Sequence, residues 1–122
     1  MELLDRFSAW LMLGIGILHS GVTFLLFQGR SENAFWFFAS GLAMIYAAAL
    51  NVLRIRYSAV APGLGSVCVA VNFSLLAFIL AYAAFKGLRI FRNPGAVVLL
   101  TCLAASTLFS AVRRPHAETR SG

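Results

Sequence analysis

Charged positions divide the chain into four long apolar stretches. Asp, Glu, Lys and Arg are missing from Phe7–Gln28, Ala34–Leu53, Ser58–Phe85 and Asn93–Val112, and Leu, Ile, Val, Phe and Ala dominate these runs. A bilayer core about 30 Å thick is crossed by about 20 residues of helix. Each run reaches that length. The pattern therefore predicts an all-α integral membrane protein, an up-and-down bundle of four transmembrane helices near 7–28, 34–53, 65–85 and 94–112. The third run is longer than a span requires, and Ala61, Pro62, Gly63 and Gly65 mark its first part as loop. Pro94 suits the first turn of the fourth helix, where a missing N–H costs nothing. Residues 113–122 read as a short polar tail of the same single domain.

Composition agrees with this pattern. The chain has 122 residues, of which 61% are hydrophobic and 11% charged. A soluble domain carries about 25% charged residues. A protein this small has much surface for its volume, so the lipid bilayer is its main partner. A signal peptide is the rival reading of the first run. Met1–Arg6 carries two acids and one Arg, however, and Gln28, Gly29 and Arg30 follow the run in place of a small-residue cleavage site. The first run is therefore read as a span. Trp10 near the start of the first helix, and Phe35, Trp36, Phe37 and Phe38 at the start of the second, fit aromatic anchors at the headgroup level.

The net charge of +6 changes the picture little. Its basic residues sit at helix ends on both sides of the bundle and form no single patch. Contact with lipid phosphates accounts for them, and no nucleic-acid partner is expected. Four spans place both termini on one side. That side carries Arg6, Arg54, Arg56, Arg113, Arg114 and Arg120; the other carries Arg30, Lys86, Arg89 and Arg92. The excess of basic residues predicts cytoplasmic termini in a plasma or inner membrane, with dual insertion as the alternative.

The helix interiors hold the candidate chemistry. In GIGILHSGVTF, residues 14–24, a histidine stands in an apolar run beside glycines. Gly16, His19, Ser20 and Thr23 follow i, i+3, i+4, i+7 spacing and share one helical face. Small and weakly polar residues collect where membrane helices touch. On the second helix Ala39, Ala43, Ala47 and Asn51 recur every four residues, with Ser40 beside them. Cys68 and Asn72 mark the third helix, and Cys102, Ser106 and Ser110 the fourth. Gly16, Ser20, Thr23, Ala43, Ala47 and Asn51 are thus the expected packing positions. Counting about 1.5 Å per residue puts His19, Tyr46, Asn72 and Ser106 at comparable depth. They form a candidate central polar layer, with His19 expected to bond Asn72 or Tyr46.

An ionisable residue in a span is a functional candidate by default, but a neutral imidazole also serves as interhelical glue. No acid lies within any of the four runs, so paired-carboxylate chemistry is not expected and the chain is read as non-enzymatic. His19 and Ser20 point about 100° apart on a helix and form no nucleophile–base pair. The sequon Asn72-Phe73-Ser74 falls inside a span, out of reach of glycosylation. The other histidine, His116, is in the tail, so bis-histidine haem ligation in the bilayer would require two copies of His19. No cofactor or metal is expected in the monomer, and Cys68 and Cys102 are expected to be free thiols.

Four helices in this length resemble small multidrug transporters in size and plan. That family carries a membrane-embedded glutamate in its first helix for proton exchange. The resemblance would leave that role to His19, the only titratable residue of its kind in the four runs. Three functions follow from these residues. The first is a structural or accessory subunit that packs against itself, as a homodimer, or against a larger membrane complex. The second is a small transporter or binding protein for a hydrophobic or neutral ligand, with His19 in its pocket. The third is a dimeric haem or metal membrane protein.

Overall fold

The computed structural model describes residues 2–27, 31–87, 92 and 94–112. The polar tail 113–122, with His116, lies outside the described residues. The chain folds as an all-α bundle of four helices: α1 (Glu2–Leu26), α2 (Glu32–Tyr57), α3 (Gly63–Lys86) and α4 (Pro94–Val112). All four are long and apolar enough to cross a membrane. The first two extend beyond the charge-free runs: α1 includes Asp5 and Arg6, and α2 includes Arg54 and Arg56. At about 1.5 Å per residue, 25 or 26 residues exceed a hydrocarbon core by roughly a turn or more. The extra turns lie at the helix ends.

Local sequence sets these boundaries. Ser31 caps α2: its side-chain oxygen accepts from the Ala34 N–H at 3.2 Å. Glu32 follows in the first turn, where the helix dipole favours an acid, and its Oε1 accepts from Trp36 Nε1 at 3.3 Å. Arg54 and Arg56 occupy the last turn of α2, where cations are favoured. α3 stops at Gly87, whose φ of 76° is the left-handed conformation that residues with a Cβ adopt at a cost.

The helices are arranged in a closed square. α1 touches α2 and α4, and α3 touches the same two. The most extensive contact joins α1 and α2. Those two run antiparallel, because partners fall in number along α2 as they rise along α1: Asp5 meets Arg54, Gly16 meets Ile45 and His19 meets Ser40. The apolar core is small and is built from Met12, Met44, Ala47, Ala48, Leu99, Cys102 and Leu103. Most large apolar side chains point outward instead, among them Ile17, Leu18, Phe24, Phe73, Phe78 and Leu108. Apolar outside and polar inside is the inverse of a water-soluble bundle. It suits a solvent of lipid tails, in which helices associate through small residues, tight packing and hydrogen bonds.

Candidate functional site

The buried polar residues gather in one seam, near the end of the bundle that holds the N-terminus of α1 and the C-terminus of α2. Each helix contributes. α1 supplies Asp5 and Ser8, α2 Asn51 and Arg54, α3 Asn72, and α4 Ser106 and Ser110, all of them buried. They lie on these helices at three- and four-residue intervals, which keeps them on the inward faces.

At the outer end of the seam, Arg54 Nη2 donates to Asp5 Oδ1 at 2.6 Å. The two side chains are 3% and 1% exposed, so the pair is fully sealed in protein. Burying either charge alone is costly, and pairing makes the burial tolerable. Both residues occupy the helix-end turns beyond the charge-free runs.

About one turn deeper on α2, Asn51 and Asn72 exchange two hydrogen bonds. Asn51 Nδ2 donates to Asn72 Oδ1 at 2.8 Å, and Asn72 Nδ2 donates to Asn51 Oδ1 at 3.0 Å. Asn51 Nδ2 also donates to the Ala47 carbonyl, one turn back, at 2.8 Å. Ser110 hands its one proton to the Ser106 carbonyl at 2.7 Å, with Asn51 Oδ1 a longer alternative at 3.4 Å. Ser8 links α1 to α4: its hydroxyl donates to the Cys102 carbonyl at 3.1 Å and lies 3.2 Å from Ser106 Oγ, which can donate back. The Cys68 thiol donates to the Leu50 carbonyl at 3.3 Å. Cys68 and Cys102 are both free and buried.

His19 belongs to a second, smaller cluster nearer the other end. Its Nε2 lies 2.9 Å from Ser40 Oγ, and the Ser40 hydroxyl donates to the Phe37 carbonyl at 2.7 Å. Since that bond uses the only serine proton, the imidazole proton is on Nε2 and points to Ser40. The ring stacks on Phe37 with centroids 3.7 Å apart and planes 19° apart. Thr23 donates to the His19 carbonyl at 3.2 Å, closing the cluster along α1. His19 is half-buried.

The expected central layer of His19, Tyr46, Asn72 and Ser106 is therefore divided. Asn72 and Ser106 share the seam, connected through Asn51 and Ser110. His19 bonds Ser40, where Asn72 or Tyr46 was expected. Tyr46 is 65% exposed and faces away from the bundle. It stands about 100° from the buried Ala47 around α2, on the outward side of the helix.

Of the packing positions, Gly16, Ser20, Thr23, Ala47 and Asn51 are buried, and Ala43 is half-buried. The closest approach of α1 and α2 also involves Gly41, which the four-residue spacing passed over. A Cβ at Gly41 would collide with Ser20 Oγ and lie 2.9 Å from the Ser20 nitrogen and 3.1 Å from the Gly16 carbonyl. A Cβ at Gly16 would lie 2.9 Å from Ile45 Cγ1 and 3.1 Å from the Gly41 carbonyl. Both positions need glycine for backbones to meet.

Sequence reasoning missed Asp5 and Arg54 as well. The statement that no acid lies within the spans holds for the charge-free runs but not for the helices, because Asp5 is buried inside α1. The available signal was one acid and one arginine at the same end of two adjacent antiparallel helices.

Surface grooves lie between neighbouring helices, and two of them are lined by described residues as follows. One, of about 550 Å³, runs between α3 and α4 and is lined by Leu76, Leu80, Leu100, Ala104 and Leu108 among others. The second, of about 370 Å³, lies between α1 and α2 and is lined by Arg6, Trp10, Val52, Ile55 and Arg56. Neither reaches His19. Among the described residues, no group of three or more His, Cys, Asp or Glu side chains could hold a metal ion.

Fold and seam together define a small four-helix protein of membrane-spanning type with a polar interior. The chain matches no protein-family model, and no curated protein or solved structure matches it.

Proposed function

We propose that the protein is a non-enzymatic structural or accessory subunit of a membrane assembly, acting through its outward surface. The observation that carries this reading is the inward pairing of the seam: Asp5 bonds Arg54, Asn51 bonds Asn72, and Ser8, Ser106 and Ser110 bond one another or nearby carbonyls. Side chains that bind or convey a substrate face a cavity. Here they face each other. His19 follows the same rule, with Nε2 on Ser40 and its ring on Phe37. That environment supports interhelical glue over a ligand pocket, a proton-coupling site or a haem ligand.

The helix that buries least is α3. Among its described side chains only Cys68, Asn72 and Ala83 are buried, and Val67, Phe73, Phe78, Leu80 and Tyr82 point outward. In this proposal that face meets the partner, a second copy of the chain or a larger membrane complex. The excess of arginine on the termini side supports insertion in a plasma or inner membrane with both termini cytoplasmic.

Photo-crosslinking in native membranes tests the proposal. A photoreactive side chain replaces Phe73 in one variant and Phe78 in another. A discrete protein adduct from either position is the expected result. Lipid adducts alone from both would reject the accessory reading.

A further inference from the structure

The groove between α1 and α2 at the seam end combines features that no part of the interior network uses. Arg6 and Arg56 line it from two different helices, together with Trp10, Val52 and Ile55. We infer that this groove is a binding site for the headgroup phosphate of an anionic phospholipid, with the lipid chain descending along Trp10 and Val52.

The antiparallel packing of α1 and α2 sets the order of these residues with depth. Arg6 and Arg56 occupy the helix ends, at the level of the Asp5–Arg54 pair. One turn further in on α1 is Trp10, and one turn further in on α2 is Val52. The groove therefore begins with two cations and continues with apolar wall. A phospholipid has the same sequence of groups, a phosphate and then a hydrocarbon chain. A free phosphate matches only the first part. Trp10 is half-exposed, and indole favours the headgroup boundary.

Charge accounting supports the same occupant. The chain has four acids, Glu2, Asp5, Glu32 and Glu118. Asp5 is engaged with Arg54, and Glu32 is at the opposite end, bonded to Trp36. Glu2, in the first turn of α1 at the groove's end, has an interaction of its own but no ion pair with Arg6 or Arg56, while Glu118 lies outside the described residues. Among the described residues, the side chains of Arg6 and Arg56 have neither an ion pair nor a hydrogen bond. Two guanidinium groups bordering one groove, each with its donors free, match a phosphodiester, which accepts several charge-assisted bonds. An anionic lipid adds a net negative charge that a zwitterionic lipid lacks, and basic residues near a lipid surface favour that charge.

The experiment uses the full chain in detergent micelles, with Trp36→Phe introduced so that Trp10 is the remaining indole. Short-chain phosphatidylglycerol, short-chain phosphatidylcholine and inorganic phosphate are each titrated while Trp10 emission is read. Phosphatidylglycerol should shift the emission saturably, while phosphatidylcholine and millimolar inorganic phosphate should not reproduce the shift. The double variant Arg6→Gln/Arg56→Gln should bind phosphatidylglycerol at least about ten-fold more weakly, in line with the loss of two surface cations. Circular dichroism should show its helix content unchanged, since both side chains are exposed. Arg92→Gln, at the other end of the bundle, should bind as the parent does. Four results would overturn the inference: an equal response to both lipids, displacement of phosphatidylglycerol by inorganic phosphate, undiminished binding in the double variant, or an equal loss in Arg92→Gln.

Discussion

Asn51 and Asn72 clasp α2 to α3 by exchanging two side-chain hydrogen bonds, 2.8 and 3.0 Å long. Each amide is fully buried, so each is the other's replacement for water. Removing one partner strands the second. Asn72→Leu should therefore cost about 1 kcal/mol or more, since interhelical bonds in membranes average about 0.6 and reach about 1.7 kcal/mol, and an orphaned amide adds its own penalty. Asn51→Leu should cost more, because Asn51 also bonds Ala47 and lies within reach of Ser110. The double variant should lose less than the sum. Reversible unfolding in mixed micelles gives all three values, and strict additivity would contradict the clasp.

Glycines on the helix faces separate into two groups. Gly41 and Gly16 have no room for a Cβ, whereas Gly14 and Gly21 have nothing within 4 Å of one. Gly41→Ala should destabilise by about 1–3 kcal/mol, the usual cost of overpacking. Gly14→Ala and Gly21→Ala should be neutral or stabilising by up to about 1 kcal/mol, since helical alanine is favoured over glycine. Ser20→Ala removes a buried hydroxyl that has no hydrogen-bond partner, and by itself should be neutral or slightly stabilising. Added to Gly41→Ala it should recover only part of the loss, because the Ser20 nitrogen and the Gly16 carbonyl remain in the way. The same unfolding assay ranks these variants. A harmless Gly41→Ala would show that α1 and α2 are further apart than described.

His19 holds α1 to α2 by one hydrogen bond and one ring stack. His19→Leu loses both and should cost about 1–2 kcal/mol. His19→Gln keeps a donor for Ser40 and should cost less. Ser40→Ala should behave like the loss of the bond alone. Unfolding midpoints measure the order Leu, then Ala at position 40, then Gln. Equal, negligible effects in all three would remove His19 from the structural account.

Orientation is a separate prediction. Reporter fusions at the N- and C-termini should both read cytoplasmic. A C-terminal fusion found wholly on the opposite face would contradict four spans. Equal signal on both faces would indicate dual insertion.

The four helices were legible because lipid imposes a length criterion that sequence records directly, as runs without charge. The same criterion concealed the seam's outer end. Ending each run at its first charge assigned Asp5 and Arg54 to flanking segments, yet α1 and α2 continue past them and bury both. A charge marks a helix end only if it remains unpaired, and pairing depends on a neighbour that sequence does not place.

The four-residue stripe on α2 leaves the inward face at Ala39 for a geometric reason. Steps of exactly four residues advance about 400°, so each step drifts about 40° around the helix. Ala39 is thus about 120° away from Asn51, and it is exposed. The buried set, Gly41, Met44, Ala47, Ala48, Asn51 and Arg54, mixes steps of three and four and stays on one face. Tyr46 illustrates the companion error, in which depth was counted without azimuth. Asn51 and Asn72 could have been matched, since both lie in the half of their helices nearest the α2–α3 connection.

The central claim is that the buried polar side chains hold the bundle together by bonding one another. A double-mutant cycle on Asp5 and Arg54 tests it most directly. Asp5→Leu alone should destabilise the protein by about 3–5 kcal/mol, the usual cost of leaving one buried charge, here the Arg54 guanidinium, without its carboxylate, and Arg54→Leu should destabilise it as well through loss of the 2.6 Å bond. Asp5→Leu/Arg54→Leu together should recover most of that loss, because no charge is left stranded. Near-parent stability in either single variant would contradict the claim, since it would mean that the remaining charge is already solvated and that the seam is open.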